Sequence, residues 1–394
     1  MRTAGHAAPT RRVATQWAPR RYPLGMPELP EVETIARDLR GLVKGSRIVG
    51  VRANWPKTLR SHEPDAFADA VSGREIIGIG RRGKQLLIML DPVPQATLHS
   101  QSGAGVGPID PDPTEHAVLT VHLKMTGQLF VVSAGSPQDR HVHLVLELDD
   151  GREIRFRDMR KFGRIGLYRR DWNTGVPPKG EARGVLPLGA EPLSDEFTLE
   201  RFFAMLATRR GRLKTLLMNQ DFLAGVGNIY ADEALWAARI HPLREAASLR
   251  QDEVRRLHSA LLDVLLEAVA FRGSSVDDYT APDGDGSMQE HLAVYQRAGQ
   301  PCLRCGHAIH RIVVGGRSTH FCGWCQRLPA GQRAAAAKLL ATEQRPGRGR
   351  RWTELEGEGV LGRTVDEEAR ARRVAAARQA AAMRRAAARA GGPA

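Results

Sequence analysis

Cysteine is scarce in this chain of 394 residues. There are only four cysteines, and all of them lie between Cys302 and Cys325. Secreted proteins that depend on disulfide bonds carry many cysteines in a short chain, so this pattern excludes a disulfide scaffold. It indicates one local site instead.

Long apolar runs are absent as well. No stretch approaches the roughly 18 consecutive apolar residues that cross a bilayer, and no compact apolar run follows a basic start as in a secretory signal. We therefore expect a cytoplasmic protein with no membrane partner. Hydrophobic residues still make up 42% of the chain, which is enough for a sizeable core, and the length predicts two or three domains.

Acidic residues are outnumbered by basic ones. Lysine and arginine total 58 against 44 aspartates and glutamates, which gives a formal net charge of +14. Such a balance favours a partner that carries phosphate, above all nucleic acid. A GC-rich genome also raises the arginine content without any function, and both explanations can hold together.

The first 25 residues contain five arginines, no acidic residue and no helical or strand periodicity. We interpret residues 1–25 as a disordered extension or a misassigned start. From Met26 the pattern changes, and a helix is predicted to begin just after Pro27 because apolar residues recur at helical spacing. These residues are Val32, Ile35, Ala36 and Leu39.

Short β-like runs follow as far as residue 168 and predict a β-sandwich in a domain of residues 26–170. The runs cover residues 75–79, 85–90, 117–123, 143–148 and 165–168. Residues 91–116 are rich in proline, glycine, serine and aspartate. This segment is long for a hairpin connection and is predicted to be a mobile insertion.

The second half of the chain is predicted to be helical. After a linker of residues 171–190, helical periodicity at 199–206, 213–218, 229–238 and 249–271 places a helical domain at residues 191–295. The cysteine segment occupies residues 296–327. Residues 328–394 are rich in alanine and arginine and offer few residues for a core, so we expect a largely disordered basic tail.

The cysteines form two pairs with identical spacing, Cys302-x2-Cys305 and Cys322-x2-Cys325. Two such knuckles supply four thiolates to one Zn²⁺, and a closed set of four leaves no open position, so this zinc is structural and catalysis lies elsewhere. Between the knuckles, a Gly315-Gly316 turn and Arg317 predict a two-stranded hairpin that presents cations to DNA. The alternative is a basic ribbon that only contacts solvent.

Several motifs occur in a fixed order before the cysteines. Met26-Pro27-Glu28-Leu29-Pro30-Glu31 opens the folded region. The others are Arg81-Arg82-Gly83-Lys84, His122-Leu123-Lys124-Met125-Thr126-Gly127, Arg157-Asp158-Met159-Arg160-Lys161-Phe162-Gly163 and Gly225-Val226-Gly227-Asn228-Ile229-Tyr230. Over residues 26–327 this series resembles the formamidopyrimidine-DNA glycosylase family.

The resemblance implies an α+β fold: an N-terminal two-layer β-sandwich, a helix-two-turn-helix domain and a C-terminal zinc finger. It also implies base-excision repair by a bifunctional glycosylase and AP lyase. The expected partner is double-stranded DNA that contains oxidised purines, such as 8-oxoguanine and formamidopyrimidines, or abasic sites. We expect the protein to act as a monomer.

The resemblance also assigns catalytic residues. Pro27 matches the N-terminal proline whose amine attacks C1′ and forms an imine, and Glu28 matches the general acid. Lys84 and Arg317 match residues that assist β- and δ-elimination. An amide nitrogen is not nucleophilic, so Pro27 needs a free amine. We expect that Met26 is the true start and is trimmed, and cleavage of the extension is the alternative.

Further residues match DNA contacts of the family. Met125, Arg160 and Phe162 correspond to the trio that fills the void left by the extruded base. His141, Arg210, Lys214 and Asn228 correspond to residues that hold backbone phosphates.

Two other functions stay open at this point. An endonuclease VIII-like glycosylase for oxidised pyrimidines shares much of the pattern, although Leu29 in the opening motif is more like the formamidopyrimidine type. If residues 1–25 stay attached, a non-catalytic zinc-ribbon protein that binds damaged DNA is the alternative.

Overall fold

The computed structural model describes residues 26–92, 115–169, 188–274, 286–342 and 367–390. The predictions for residues 1–25, for most of the 91–116 insertion and for most of the 171–190 linker lie outside these ranges. The helices are α1 Leu29–Val43, α2 Pro64–Val71, α3 Leu199–Ala207, α4 Leu213–Met218, α5 Asn228–Ala237, α6 Gln251–Ala270, α7 Ala330–Leu340 and α8 Glu367–Ala390. The strands are β1 Ile48–Ala53, β2 Ile76–Arg82, β3 Gln85–Leu90, β4 Ala117–His122, β5 Gly127–Ser133, β6 Val142–Leu148, β7 Arg152–Asp158, β8 Arg164–Arg169, β9 Ile309–Val314 and β10 Arg317–Cys322.

The predicted β-sandwich is present. One four-stranded sheet has the order β1-β6-β7-β5 and the other has the order β2-β3-β4-β8, with every pair antiparallel. Apolar side chains of both sheets share one core, as expected for strands with alternating inward residues. Gln85 pairs with His122 and Leu90 pairs with Ala117. The 91–116 insertion therefore leaves the sheet at the end opposite the β2–β3 turn.

Helix α1 begins at Leu29, as predicted from the spacing of apolar residues after Pro27. Val32, Ala36 and Leu39 are fully or almost fully buried, and they pack into the core of the sandwich. Leu29 instead belongs to the core of the helical domain. The first turn of α1 therefore lies where the two domains meet.

The predicted helices of the second domain are present as α3 to α6, and they enclose a separate apolar core. Helix α5 lies at its centre, because eight of its ten residues are buried. Two of the buried residues, Asp232 and Glu233, are acidic, so α5 must satisfy charged groups as well as pack.

The C-terminal hairpin β9–β10 contains the turn at Gly315-Gly316, whose φ angles are +57° and +73°. Glycine suits this turn because the left-handed region is unfavourable for residues with a Cβ. Helix α7 packs against the hairpin through Ala336, whose neighbours include Ile312 and Val314. The α+β architecture predicted from the sequence is confirmed. Within the described ranges, no helix has the length and apolar character that a membrane span requires.

The expectation of a largely disordered tail is wrong for α7 and α8. Helix α8 lies along α6, where Arg370 Nε is 3.0 Å from a Glu267 carboxylate oxygen and Arg378 Nε is 2.7 Å from Asp263 Oδ1. Glu267 is only 3% exposed. Alanine-rich sequence forms helix readily, and ion pairs with α6 replace the apolar core that the tail lacks.

The ion pair of Arg370 should stabilise the docked position of α8. Replacing Arg370 with alanine should lower the free energy of undocking by about 1–3 kcal/mol, because Glu267 loses a charged hydrogen bond while it is buried. Hydrogen exchange of the α8 amides measures this change. The matched control is Arg372→Ala. Arg372 is 71% exposed, and its 3.8 Å pair with Glu368 lies on the surface, so the cost should be under about 0.5 kcal/mol. Equal exchange in the two variants would contradict the assignment.

Candidate active site and metal centre

The carboxylate of Glu28 lies at the N-terminus of α5. It accepts hydrogen bonds from the amides of Gly227 at 2.7 Å and Ile229 at 2.9 Å. A Cβ on Gly227 would lie 2.4 Å from Glu28 Cδ and 2.5 Å from Lys84 Nζ. Only glycine therefore fits where the backbone approaches these two side chains, which explains the glycine-rich turn before α5.

Lys84 reaches this point from the tight turn between β2 and β3. Glu191, from the helical domain, holds this turn in place. Its carboxylate accepts hydrogen bonds from the Gly83 amide at 2.8 Å, from Arg81 at 2.7 Å and from Arg82 at 2.9 Å. Gly83 has a φ of +57°. Glu191 carries no signal in the sequence, because its role depends on a contact between residues more than a hundred positions apart.

Burial and neighbouring charges set the protonation of Glu28 and Lys84. Burial raises the pKa of Glu28, and the nearby Glu31 adds to this, whereas Lys84 and the Ile229 amide oppose it. Burial lowers the pKa of Lys84, although Glu28 and Glu31 oppose that change. The site therefore favours a protonated carboxyl and a neutral amine more than water does, as acid–base chemistry near neutral pH requires.

Glu31 connects three parts of the site. Its carboxylate accepts hydrogen bonds from the Glu28 amide at 2.9 Å, the Tyr230 hydroxyl at 2.5 Å and the Ser274 amide at 2.8 Å. Burial and the contact with Glu31 raise the pKa of Tyr230 well above its usual value, so this phenol stays a donor. In the sequence Glu31 is only one member of the opening motif, and its role as a shared acceptor becomes visible in the fold.

Pro27 is buried directly before Glu28. The amide of Leu29, two residues further on, donates to the Gly225 carbonyl at 3.0 Å. Pro27 therefore lies beside the contact between α1 and the turn that precedes α5, one residue before Glu28.

Met125, Arg160 and Phe162 lie together, as the resemblance implied. Arg160 Nη1 is 3.1 Å from Met125 Sδ, and its guanidinium carbon is 4.9 Å from the centre of the Phe162 ring. The buried Asp158 joins the two loops, because it accepts hydrogen bonds from the Thr126 hydroxyl and from the Gly163 amide. Phe162 is 49% exposed, so its ring is accessible to a bound ligand.

The predicted phosphate contacts differ in their exposure. Arg210 is exposed. Arg317, which was predicted to assist δ-elimination, is exposed as well and is close enough to Lys84 to lower its pKa. His141 is half-buried, and its amide donates to Asp139 at 2.7 Å. Asn228 is the first residue of α5, and its buried Oδ1 accepts no hydrogen bond from the described part of the chain.

The predicted phosphate contact of Lys214 is wrong in this structure. Its side chain is fully buried, with Nζ 2.6 Å from Asp232 Oδ1 and 2.8 Å from the Asn228 carbonyl. A buried ammonium needs such partners, and they leave no side for a phosphate. Lys214 instead fixes the start of α5. Asp232 also accepts the His320 amide at 2.9 Å, so it connects α5 to β10.

The four cysteine sulfurs lie within 4.8 Å of one another. A tetrahedral zinc with Zn–S distances of about 2.3 Å separates its sulfurs by about 3.8 Å, so the cluster fits one Zn²⁺. The indole of the buried Trp236 donates to Cys302 Sγ at 3.3 Å. Trp236 belongs to α5, which therefore contacts the metal centre as well as Glu28.

Comparisons with known proteins cover the sandwich, the helical domain and the C-terminal hairpin. Three family models match: the formamidopyrimidine-DNA glycosylase N-terminal domain at residues 26–165, its H2TH domain at 188–280, and the zinc finger found in FPG and IleRS at 299–328. A formamidopyrimidine-DNA glycosylase of Herpetosiphon aurantiacus is 45% identical, over 76% of this chain and all of the relative. The corresponding protein of Chloroflexus aurantiacus is 44% identical, over 76% of this chain and 98% of the relative.

Solved structures are similar to this chain over the same share of its length. MutM (Fpg) of Thermus thermophilus has a TM-score of 0.61 and 40% identity, over 76% of this chain and 98% of the other. A complex of Lactococcus lactis Fpg with DNA that contains an abasic site has a TM-score of 0.63 and 32% identity, over 76% of this chain and all of the other.

The zinc should stabilise the hairpin without supporting the sandwich. Replacing Cys322 with serine should abolish zinc binding and make the β9 and β10 amides exchange rapidly, while the amides of β3 and β4 keep their protection. Metal analysis should find one zinc per wild-type chain and also in the control Ser318→Ala on the same hairpin. Zinc-free wild-type protein with a protected hairpin would contradict a structural metal.

Proposed function

This chain belongs to the formamidopyrimidine-DNA glycosylase family, and from that premise we propose which step of base excision each of its residues performs. The protein is a base-excision-repair glycosylase with AP lyase activity, and it contains one structural zinc. The observation that carries the proposal is the position of Glu28. Its buried carboxyl lies between the α5 amides and Lys84, directly after Pro27.

Pro27 acts as the nucleophile. Its neutral secondary amine attacks C1′ of the damaged nucleotide, the glycosidic bond breaks, and the base leaves with the bonding electrons and takes up a proton. The nitrogen then loses its proton, and its lone pair forms a double bond to C1′, which gives a positively charged iminium. The C1′–O4′ bond breaks, and its electrons go to O4′.

Glu28 donates the proton that O4′ needs as the sugar ring opens. A raised pKa supports this role, because burial makes the carboxyl hold its proton more readily than it would in water. Lys84 contacts the adjoining phosphate and assists β-elimination, and Arg317 assists δ-elimination. Lys84 lies near Glu28, Lys214 and Arg317, close enough for their charges to change its pKa.

The mechanism requires that Pro27 be the first residue of the working enzyme, since an amide nitrogen cannot attack C1′. The model of the N-terminal domain begins to match at residue 26, the methionine before Pro27, which supports this start. We therefore place translation at Met26, followed by removal of the methionine.

The substrate is double-stranded DNA with an oxidised purine or an abasic site, and relatives have been solved with Fapy-dG or abasic DNA. Met125, Arg160 and Phe162 fill the void when the base is extruded, and Arg160 bonds the orphaned cytosine. His141, Arg210 and Asn228 hold backbone phosphates, with Lys214 orienting Asn228. The enzyme works as a monomer in the cytoplasm, with domains at residues 26–170, 191–295 and 296–327.

Loss of the void-filling trio should affect excision more than strand cleavage. Arg160→Ala or Phe162→Ala should slow release of 8-oxoguanine from a duplex much more than cleavage at a preformed abasic site, because only the first reaction needs extrusion of a stacked base. Single-turnover rates on both substrates measure the difference. Val49→Ala, which removes a different exposed apolar side chain, is the control. Equal losses on the two substrates would rule out this role.

Borohydride trapping tests the nucleophile. A chain that begins at Met26 should be trapped covalently on 8-oxoguanine DNA, because borohydride reduces the imine, whereas the uncleaved chain of 394 residues should not. Pro27→Ala in the shorter form should reduce trapping, since a primary amine replaces the ring nitrogen. N-terminal sequencing of each form verifies its start. Trapping of the verified full-length chain would show that another amine, such as Lys84, is the nucleophile.

A further inference from the structure

Three basic residues at one end of the second sheet have no role in the function described above: Arg60, Lys124 and Arg164. Arg164 is the first residue of β8 and pairs with His122, the last residue of β4. Lys124 follows two residues later, and the Arg60 amide donates to the Ile165 carbonyl at 2.9 Å. We call these three residues the Lys124 cluster.

The Lys124 cluster lies beside the active site. Because Gln85 pairs with His122, the cluster is at the same end of the sheet as the turn that carries Lys84. Met125, of the void-filling trio, is the next residue in the chain. A DNA strand that passes from Lys84 to Met125 therefore passes the Lys124 cluster.

None of the three residues has an ion pair with a carboxylate in the described ranges, unlike many other cations of the chain. At the same end of the sheet, Arg81 and Arg82 pair with Glu191 at 2.7 and 2.9 Å. Burial lowers the pKa of Lys124, and the nearby charges of Arg164, Lys84 and Arg60 lower it further. The cluster therefore carries repulsion between like charges that an anion would relieve.

The backbone holds Lys124 in place despite this repulsion. Lys124 has a φ of +59°, a conformation that residues with a Cβ rarely adopt. Its amide donates to His122 Nδ1 at 3.1 Å, and burial lowers the pKa of His122 to about 3, so this imidazole stays a neutral acceptor. Unfavourable backbone geometry that the surroundings maintain is typical of functional sites.

We propose that Arg60, Lys124 and Arg164 bind one phosphate of the DNA backbone, next to the phosphate that Lys84 contacts. The proposal rests on the function above, since it assumes that the damaged strand follows this path. Two guanidinium groups and one ammonium suit a phosphodiester, because arginine presents paired donors and lysine adds a compact charge. The contact fixes register and carries no sequence information.

The salt dependence of binding tests the proposal. The affinity for duplex DNA that contains an abasic analogue is measured at salt concentrations between about 50 and 200 mM. Over this range counterion release makes the affinity depend strongly on salt. The Arg60→Gln, Lys124→Gln, Arg164→Gln triple variant should have a slope of log K against log salt that is shallower by about 0.9, the value for one phosphate contact. The control Arg255→Gln removes an exposed cation of α6. Arg255 lies roughly 20 Å from the C-terminal end of that helix. Its slope should match the wild type.

If the triple variant does not fold, the salt slope is measured for the single variant Lys124→Gln instead. The variant Lys124→Arg should then restore the wild-type slope. An unchanged slope in a folded variant overturns the proposal. Borohydride trapping by the otherwise wild-type chain that begins at Met26 tests the Pro27 mechanism separately, so a failure of that mechanism is distinguishable from a failure of this inference.

A protection experiment separates DNA phosphate from free phosphate. The duplex should protect Lys124 from acetylation, whereas inorganic phosphate at the same phosphate concentration should not. Protection by inorganic phosphate without protection by DNA overturns the assignment to the DNA backbone.

Discussion

The hydrogen bonds between the Glu28 carboxylate and the first amides of α5 are the interaction on which the rest of the site depends. The N-terminus of a helix has unsatisfied N–H groups and a partial positive charge, so it attracts a carboxylate. Here the carboxylate comes from the N-terminal domain and the helix from the second. One contact therefore joins two separate cores and places the acid beside the predicted nucleophile.

Helix α5 extends this connection to the C-terminal hairpin. Asp232 accepts hydrogen bonds from Lys214 and from the His320 amide of β10. Glu233 accepts three amides of residues 293–295, at 2.8 to 2.9 Å. Trp236 donates to a zinc ligand. Each buried acid is satisfied by donors from another segment, so α5 can be buried on nearly all sides without losing hydrogen bonds.

The sequence predicted the parts whose signals are local. Identical cysteine spacings indicated the zinc site, and apolar spacing after Pro27 indicated where α1 begins. Glu31, Glu191 and the burial of Lys214 were missed, because each depends on contacts between distant segments. The resemblance made Lys214 a phosphate contact, and only the fold shows that it is buried between Asp232 and Asn228. Helix α8 was missed because its partner is a pair of acids on α6, which composition alone does not reveal.

The register of β3 and β4 separates the inserted segment from the chemistry. Each strand spans roughly 17 Å, so the point where the insertion leaves, at Leu90 and Ala117, lies a full strand length from Lys84. Residues added at this junction lie at the end of the sheet away from Lys84, so it is a natural attachment point for a fluorophore or a fused domain.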